Sequence, residues 1–594
     1  MCGIVGYIGH RDAFPIIADA LSRIEYRGYD SFGFATIDEG MLHIQKKVGA
    51  ITECKIDFMP GHVGVGHTRW ATHGGVEERN AHPHVSRSGR FCMVHNGIIE
   101  NYLALQNELK QRGIELVSDT DTEVIVQLID SEARDGTPFF EAAKNVIARL
   151  SGSFAFAVID TQNPGAAVLA SVEAPLRIGL LDRHDGGQDI FFASDPVAFL
   201  PYTKKAIFLQ DGDVAFIEAP SIIVRNRQDW SAVMRRNPEE ITWNRAEVSK
   251  EGFEHFMLKE IYEQKDLLKF PPPDEQVIAT ADAMRAAKNV WLLGCGTAYH
   301  AALAGSRMLL PKGINARACL ASDFYQFHEL LTDNDVLIAV SQSGETADLL
   351  SEVRFAKKQC PGLLTIAVTN AIGSTLVHES GLVLYTHCGV EVGVASTKAY
   401  TAQIGIFSLI CGAIVSRARG VSEAKERIST DARAIEQFLG NVRNPLQRIA
   451  QKIKESSSIY VIGHGSAATT CLEGALKIKE LSYIHAEGMN AAELKHGTLA
   501  LIEKGVPCIV VVNSEDDLIR TVSSAMEIKA RGGMIIGISG VFHPVFDDWI
   551  QTPASFYPEI TMVVPLQLLA YELAVARGKN PDKPRNLAKS VTVH

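Results

Sequence analysis

Two different hydrophobic patterns divide the chain. Up to about residue 218, short apolar strands alternate with amphipathic helices, as in the predicted strand 154–159 and the predicted helix 122–129. That helix follows the turn-rich residues 118–121, which is where a helix start is expected. The mixture predicts an α+β domain over residues 2–218.

Beyond residue 280 the pattern changes and repeats. Residues 290–293 and 459–462 are continuous apolar stretches, and each is followed by Gly-x-Gly, a hydroxyl residue and a helical segment. Continuous apolar runs that alternate with helices are typical of parallel strands buried on both faces. We therefore predict two α/β domains with doubly wound parallel sheets, at residues 280–420 and 452–584. A short Gly-x-Gly also occurs in dinucleotide sites, but the third glycine of that fingerprint is missing and no clear acidic partner for a ribose follows.

The segment between these regions has a different composition. Residues 226–236 are polar, and the prolines at 271–273 exclude a continuous helix or a central strand. A helix is predicted between them, over residues 255–264. These features predict a linker at residues 219–279.

Composition narrows the class of protein. Of 594 residues, 46% are hydrophobic and 21% charged, as in globular proteins with full cores. The net charge of −11 without a basic block argues against nucleic acid as a main partner, although loops can still bind small anions. The ten scattered cysteines lack a Cys-x-x-Cys pair, which fits a reducing cytoplasm. The longest apolar run, residues 404–415, is too short for a bilayer and predicts a buried helix, so we expect no membrane partner.

The N-terminus offers an unusual combination of reactive groups. Once Met1 is removed, Cys2 carries both a nucleophilic thiol and a free α-amine, whose ordinary pKa of about 7.7–8.0 suits a general base. Ile4 and Val5 begin an apolar strand that would fix this terminus. The alternative is a disordered tail, as most chain termini are.

Four polar clusters interrupt the predicted elements of the first domain, at residues 25–31, 67–74, 95–101 and 119–123. They combine an arginine fork that suits a carboxylate, an Asn-Gly pair that can donate to an oxyanion, and carboxylates that can bind an ammonium. With a thiol, this set matches an α-amino acid that has a side-chain amide.

In this assignment, Arg69 binds the substrate carboxylate and Asp121 its amine, while Cys2 attacks the amide carbon. Asn96 and Gly97 would stabilise the tetrahedral oxyanion. Each residue also has an ordinary explanation, because Asn-Gly most often forms a simple turn and Arg69 could belong to a structural ion pair. His82 and His84 have the spacing of a metal pair, but no third ligand is evident and we predict a structural loop with no metal site.

These strings resemble the glutaminase domain of class II glutamine amidotransferases, the N-terminal-nucleophile type. The similarity rests on Cys2, on HTRWATHG at residues 67–74, on HNGIIEN at residues 95–101 and on the TDTE turn. It implies an αββα fold. It also implies a glutamine site that comprises Cys2, Arg69, Thr72, His73, Asn96, Gly97 and Asp121, with an ammonia gate at Trp70. By residue type alone, a tryptophan is more often part of a core.

The strongest signal in the second part of the chain is Ser-Gln-Ser-Gly-Glu-Thr at residues 341–346. It follows an apolar strand and leads into a helix, so hydroxyls and helix N–H groups can form a phosphate cradle from Ser341, Gln342, Ser343 and Thr346. An ordinary helix N-cap would explain one hydroxyl but not three. Thr297, at the end of another strand, could complete the cradle.

This pattern is similar to the sugar isomerase (SIS) domain, a phosphosugar-binding α/β module. Over nearly its whole length the chain resembles the hexosamine-forming amidotransferases, and further matches lie at residues 393–398, 472–480, 493–497 and 584–593. The resemblance implies that L-glutamine and fructose 6-phosphate give glucosamine 6-phosphate and glutamate in a homodimer, with no metal or redox cofactor. Proteins that only deaminate amino-sugar phosphates, or only sense phosphosugars, would not need the glutaminase residues.

The same resemblance assigns roles in the sugar site. Lys589, in a C-terminal tail of residues 585–594, would form a Schiff base with the ketone, although such a lysine would ordinarily be a solvated charge. Glu480 would move a proton between C1 and C2 with help from Lys477, because residues three apart share a helix face. His496 would open the sugar ring and could be supplied across a dimer interface. Val394 and Ala395 would line the sugar phosphate.

Three positions depart from the family pattern beside this site. Ala298 replaces a common serine, residues 486–492 differ from the usual string, and Thr498 replaces a common proline. We expect these departures to affect substrate affinity more than chemistry.

Overall fold

The computed structural model describes residues 2–71, 73–134, 136–241 and 249–591. The described chain forms two compact units, one up to residue 241 and one over residues 249–589. Each unit is considered by itself below.

The first unit contains two antiparallel sheets in its described residues, with strand orders β14-β11-β9-β10-β1-β4-β2-β3 and β13-β12-β8-β7-β6-β5. The strands are β1 Gly3–Ile8, β2 Ser31–Asp38, β3 Met41–Val48, β4 Val63–Arg69, β5 His84–Val85, β6 Phe91–Ile99, β7 Gly152–Asp160, β8 Asn163–Val172, β9 Arg177–Asp182, β10 Gln188–Ala193, β11 Lys205–Phe208, β12 Asp213–Glu218, β13 Ser221–Asn226 and β14 Glu239–Glu240. The helices are α1 Ala13–Arg23, α2 Tyr102–Gln111, α3 Asp121–Arg134 and α4 Phe139–Ile147.

Alternation along the strands explains why the layers stack. On β6, Cys92 and Val94 pack with Ile4 and Val65 of the other sheet, whereas Phe91 and Met93 pack with helices α2–α4. Helix α1 covers the outer face of the first sheet. The predicted αββα fold is therefore confirmed, as are the predicted strand 154–159 and the helix after the turn at 118–121.

The second unit contains two parallel five-stranded sheets in its described residues, with orders β16-β15-β17-β18-β19 and β21-β20-β22-β23-β24. The strands are β15 Val290–Gly294, β16 Ala316–Leu320, β17 Val336–Ser341, β18 Leu364–Thr369, β19 Leu382–Tyr385, β20 Ser458–Gly463, β21 His485–Asn490, β22 Pro507–Val512, β23 Met534–Ser539 and β24 Asp548–Gln551. The helices are α5 Phe256–Tyr262, α6 Asp274–Ala286, α7 Thr297–Leu309, α8 Ala347–Gln359, α9 Thr375–Glu379, α10 Lys398–Ile453, α11 Ala467–Ser482, α12 Glu515–Ala530, α13 Pro558–Thr561 and α14 Val563–Ala576. The matching strand orders confirm the predicted repeat of two doubly wound α/β domains.

Helix α10 contains the apolar run 404–415, which is buried as predicted up to Ile414, whereas Val415 is exposed. The helix breaks at Ser416 and Arg417, where the backbone leaves helical geometry. Two helical segments, α10 and residues 558–576, are long and apolar enough to cross a membrane by length and composition. However, 83% of the most apolar 18-residue stretch of each is buried within the fold.

Within its described residues, 219–241 and 249–279, the predicted linker contains regular elements that its composition did not indicate. Strand β13 pairs with β12, so the second sheet of the first unit continues past residue 218. In α5, Met257, Leu258 and Ile261 are fully buried in the core of the second unit. An edge strand and an amphipathic helix can complete a sheet and a core although their flanking residues are polar. The helix predicted over 255–264 is present as α5, followed by a 3₁₀ turn over Glu263–Asp266.

Candidate functional site

Cys2 lies at the start of β1, an inner strand that pairs with β10 and β4. Its sulfur accepts the backbone N–H of Trp70 at 3.2 Å. Its carbonyl oxygen accepts Arg27 Nε at 3.2 Å and Asn96 Nδ2 at 3.1 Å. Cys2 is therefore not a disordered tail residue. Burial raises the pKa of its thiol, so the sulfur needs a base before it can attack a substrate near neutral pH.

The side chain of Asn96 is oriented by a neighbouring histidine. Nε2 of His67 lies 2.8 Å from the carbonyl oxygen of His95 and 3.1 Å from Oδ1 of Asn96. Both partners are acceptors, so Nε2 of His67 carries the proton. This bond leaves Nδ2 of Asn96 free to donate towards Cys2, as an oxyanion donor must.

Gly97 follows on the same strand with φ of +119°, a region that favours glycine. A Cβ here would overlap the carbonyl oxygen of Ser153 and lie 2.7 Å from Cα of Phe154. The Asn-Gly pair is therefore part of a strand in close contact with β7 and not a simple turn.

Asp121 is the first residue of α3 and is almost completely buried. Its Oδ2 accepts the N–H of Ile99 at 2.8 Å, which ties the helix N-terminus to the end of β6. The helix dipole favours a carboxylate at this position. Asp121 is thus held beside Ile99, which lies two residues beyond Gly97 on β6.

Arg69 ends β4 and orders the loop that follows. Its guanidinium donates to the carbonyl oxygens of Gly74 and Gly75, each at 3.0 Å, and to that of His73. Burial lowers the pKa of Arg69. The structure thus gives Arg69 a loop-holding role, while the substrate carboxylate contact stays a prediction.

The other predicted glutamine and ammonia residues lie on this loop. The ring of His73 packs edge-on against Tyr102, and the partly exposed ring of Trp70 packs edge-on against Tyr29. Thr72 lies outside the described residues.

His82 and His84 belong to a buried group of imidazoles with His67 and His95. The rings of His67 and His82 stack at 4.0 Å, and those of His82 and His84 lie 4.8 Å apart. Burial lowers the pKa of all four, that of His67 to about 3, so the rings are neutral. Across the described ranges, no group of three or more His, Cys, Asp or Glu side chains is arranged to hold a metal ion. Sequence reasoning missed His67, although it lies in the string 67–74.

In the second unit, the predicted phosphate residues surround the start of α8. Ser341 ends β17, and its Oγ lies 3.1 Å from Oγ1 of Thr346 and accepts the N–H of Gly344 at 3.0 Å. Gln342 and Ser343 lie between them in the turn. Gly344 has φ of +63°, which permits the turn that gathers these hydroxyls.

Thr297 begins α7 and contacts charged residues of α11. Its hydroxyl donates to Oε1 of Glu473 at 3.1 Å and accepts Nζ of Lys477 at 3.0 Å. Lys477 also forms an ion pair with Glu480 at 2.7 Å, as their three-residue spacing predicts. Burial lowers the pKa of Lys477, but Glu473 and Glu480 outweigh it and the net pKa is raised. Thr297 therefore links the first α/β domain to the predicted isomerisation pair.

Lys589 is buried, with 4% of its side chain exposed, and is not a solvated charge. Its Nζ contacts Oε2 of Glu391 at 2.5 Å, the carbonyl oxygen of Gly393 at 2.7 Å and Oγ of Ser396 at 3.4 Å. Glu391 was not predicted from sequence, although it lies two residues before the string 393–398.

The chain that carries Lys589 is anchored by Asp582. The two carboxylate oxygens of Asp582 accept the N–H groups of Phe256 and Met257 at 2.9 and 2.8 Å. Its carbonyl oxygen accepts the N–H of Val394 at 3.3 Å. Val394 and Ala395 are themselves buried, so the tail and the 393–398 segment support each other.

His496 is not brought to these groups. It ends the 3₁₀ segment Ala491–His496 with an exposed side chain, and no contact to Lys477, Glu480 or Lys589 is present among the described residues. Of the positions that depart from the family pattern, Ala298 packs against the hydrophobic core.

Comparisons with known proteins agree with this arrangement. A family model described as a glutamine amidotransferase domain matches residues 67–201, and one described as an SIS domain matches residues 283–411 and 452–577. Two proteins named glutamine–fructose-6-phosphate aminotransferase (isomerising), from Pyrococcus horikoshii and Thermococcus kodakarensis, are each 41% identical over all of this chain and all of their own length.

A solved structure of the C-terminal domain of glucosamine-fructose-6-phosphate aminotransferase from Francisella tularensis is also similar. It superposes with a TM-score of 0.51 and 30% identity, and it covers 56% of this chain and 99% of that one. Since the similarity extends over full length and both domain types are present, the chain belongs to the family of isomerising glutamine–fructose-6-phosphate aminotransferases.

Proposed function

We propose that this protein converts fructose 6-phosphate and L-glutamine into glucosamine 6-phosphate and glutamate, the first step towards UDP-N-acetylglucosamine. Family membership supports this activity. The observation that carries it is that one chain holds both a partly buried N-terminal thiol beside an Asn-Gly pair and a buried lysine side chain within the SIS unit. A phosphosugar isomerase or sensor needs only the second of these.

The first half-reaction uses the first unit. The free amine of Cys2 takes the thiol proton, and the sulfur attacks the amide carbon of glutamine. Nδ2 of Asn96 and the N–H of Gly97 stabilise the oxyanion, and the proton leaves with ammonia. Water then hydrolyses the thioester to glutamate. In this proposal, Arg69 and Asp121 bind the two ends of glutamine, and the loop with Thr72 and His73 completes the pocket.

The second half-reaction uses the second unit. The phosphate of fructose 6-phosphate binds to a cradle whose members are Thr297, Ser341, Gln342, Ser343 and Thr346, next to Val394 and Ala395. His496 opens the ring, and we place it across a homodimer interface because its side chain is exposed in one chain. Lys589 forms a Schiff base with the ketone, ammonia that has passed Trp70 displaces it, and Glu480 with Lys477 moves a proton between C1 and C2.

No step of this scheme calls for a metal or redox cofactor, and we place the enzyme in the cytoplasm. The ten cysteines are free thiols, which supports a reducing compartment. The net charge of −11 supports the absence of a nucleic-acid partner.

Two variants test the division of labour. Cys2→Ala should lose formation of glucosamine 6-phosphate from glutamine, because the nucleophile is gone. Lys589→Ala should keep glutamine hydrolysis but form no amino sugar. Glutamate release and glucosamine 6-phosphate would be measured with and without fructose 6-phosphate.

A borohydride trap with fructose 6-phosphate should label the wild-type peptide that contains Lys589. Product formation from glutamine by Cys2→Ala, or a wild-type tail that stays unlabelled, would contradict the proposal.

A further inference from the structure

The Lys589 amine lies in a buried site where one carboxylate faces it directly. Glu391 is completely buried, and its Oε2 lies 2.5 Å from Nζ of Lys589. Its other oxygen, Oε1, accepts the N–H groups of Thr397 and Ala399 at 2.9 and 3.1 Å, at the start of α10. Ser396 also donates to Oε2 at 2.9 Å. The carboxylate is therefore fixed with Oε2 directed at the amine.

A Schiff base requires that this amine first loses a proton. A lysine amine is protonated at neutral pH, and only its neutral form attacks a carbonyl. The reaction later needs a proton, because the hydroxyl of the carbinolamine must leave as water. A single group beside the amine can serve both needs.

We propose that Glu391 is a catalytic residue that takes the proton from Lys589 and later returns it to the departing hydroxyl. This inference rests on the proposed Schiff-base role of Lys589. The contact, the burial of both side chains and the fixed orientation of the carboxylate carry it.

The proton balance closes without another reactant. Transfer of one proton gives a neutral amine and a neutral carboxylic acid. The nitrogen lone pair forms a bond to C2 of the open-chain ketose while the carbonyl π-electrons move to oxygen, and a proton passes from nitrogen to that oxygen. Glu391 then donates its proton to the hydroxyl, the C–O bond breaks, and water leaves. The products are a protonated imine and the original carboxylate.

The charged groups around Glu391 explain why it, and not its neighbour, acts as the base. Glu260 from α5 approaches the same site, and its Oε1 accepts the N–H groups of Val392 and Gly393 at 2.5 and 3.1 Å. Burial, followed by the charge of Glu391, raises the pKa of Glu260 to about 8. For Glu391, burial raises the pKa, but Lys589 and the backbone donors outweigh it and hold it at about 2.

Glu260 is therefore neutral near pH 7, while Glu391 is ionised, and the charge of Lys589 that lowers the pKa of Glu391 disappears as the proton leaves the amine. Among the described residues, the other titratable groups beside the site are Lys398, which is paired with Glu263 at 2.6 Å, and the partly buried thiol of Cys388. Because Lys398 is paired with Glu263, it does not compete with Lys589 for Glu391.

The test compares Glu391→Gln with Glu391→Asp and Glu260→Gln in the full-length enzyme. The side chain introduced by Glu391→Gln keeps an acceptor for the backbone N–H groups but cannot take up a proton. Borohydride labelling of Lys589 with fructose 6-phosphate should therefore slow by about 100-fold at pH 7. Its rate should then rise roughly tenfold per pH unit towards pH 9, as solvent removes the proton. Glu391→Asp should label faster than Glu391→Gln and with a flatter pH profile.

Glu260→Gln is the matched control, because it replaces a group that is already neutral, and it should label within about twofold of wild type at pH 7. Glutamine hydrolysis should be unchanged in all three variants. The inference is overturned if Glu391→Gln labels at the wild-type rate, or labels slowly with no rise at high pH, which indicates a structural role alone. An unlabelled wild type instead removes the proposed Schiff base, and the inference with it.

Discussion

Removal of the Asp582 carboxylate should release the chain that carries Lys589. Asp582 lies seven residues before Lys589, is 7% exposed, and caps the first two N–H groups of α5 with its two oxygens. These N–H groups have no partner inside the helix. We expect Asp582→Ala to detach the tail and Asp582→Asn, which keeps one oxygen, to weaken it less.

The expected magnitude follows from the two bonds. A hydrogen bond to a charged group contributes about 1.5–3 kcal/mol, but an N–H group at a newly exposed helix end regains water. We therefore expect a loss of about 2–4 kcal/mol for Asp582→Ala and roughly half for Asp582→Asn. The larger loss raises the population of the detached tail by about 30- to 900-fold.

Hydrogen–deuterium exchange measures this population directly. Exchange of residues 580–589 should accelerate in Asp582→Ala, amination of fructose 6-phosphate should fall at least about tenfold, and glutamine hydrolysis should stay unchanged. Asp431→Ala is a matched control, because Asp431 is buried and accepts the N–H groups of Phe556 and Tyr557 at 2.9 and 2.8 Å. Unchanged tail exchange in Asp582→Ala, or equal loosening of the tail by Asp431→Ala, would refute the reasoning.

Three further substitutions test the site. Gly97→Ala should reduce glutamine hydrolysis by at least about 100-fold, because the added Cβ overlaps β7. Gly89→Ala is the control: Gly89 also has a positive φ but faces open space, so this substitution should cost only about 1 kcal/mol of stability. His67→Phe should lower kcat for glutamine hydrolysis with little change in KM, because Asn96 loses its hydrogen-bond partner. His67→Gln keeps a donor and should recover part of the rate. Equal rates for His67→Phe and His67→Gln would argue against a positioning role. The melting temperature of Glu260→Gln should rise relative to that of wild type as pH increases from about 5 to 8. The pKa of Glu260 is raised to about 8 in the folded protein, so the wild type loses stability over this interval while the variant does not. A constant difference in melting temperature would contradict this.

The fold was predictable where the hydrophobic pattern is long and local. The strands 290–294 and 458–463 are apolar on both faces because helices cover both sides of a parallel sheet, so their burial is visible in the sequence. The helix α3 was predictable from its apolar face. The order of the fourteen described strands of the first unit was not, because it depends on pairings between strands far apart in the chain.

The segment 219–279 shows a second limit. Its polar and proline-rich parts are real features of the sequence, and they favoured a linker. Strand β13 is nevertheless the edge of a sheet, where one side faces solvent and few apolar residues are needed. Helix α5 is short, so its apolar face gave a weak periodic signal.

In the site, residues within short strings were predictable and their partners were not. The hydroxyls of residues 341–346 lie in one turn, and Lys477 and Glu480 lie on one helical face, so spacing alone brings them together. By contrast, Lys589 and Glu391 are 198 residues apart, and Asp582 and Phe256 are 326 apart. A single sequence shows neither that Glu391 is buried nor which amine it faces.

The surroundings of Cys2 and Lys589 bear on how one chain could keep two nucleophiles inactive until substrate binds. Burial raises the pKa of the Cys2 thiol, and the amine of Lys589 is engaged in an ion pair with Glu391, so neither group is a free nucleophile in the resting protein. In our proposals each has a base within reach, the α-amine of Cys2 itself and the carboxylate of Glu391. In both proposals the proton moves to the base before the nucleophile attacks, from the thiol to the α-amine in the first unit and from Lys589 to Glu391 in the second. In these proposals Cys2 needs no second residue as its base, whereas Lys589 depends on a carboxylate from a distant segment, so we expect the sugar site to require an anchored tail.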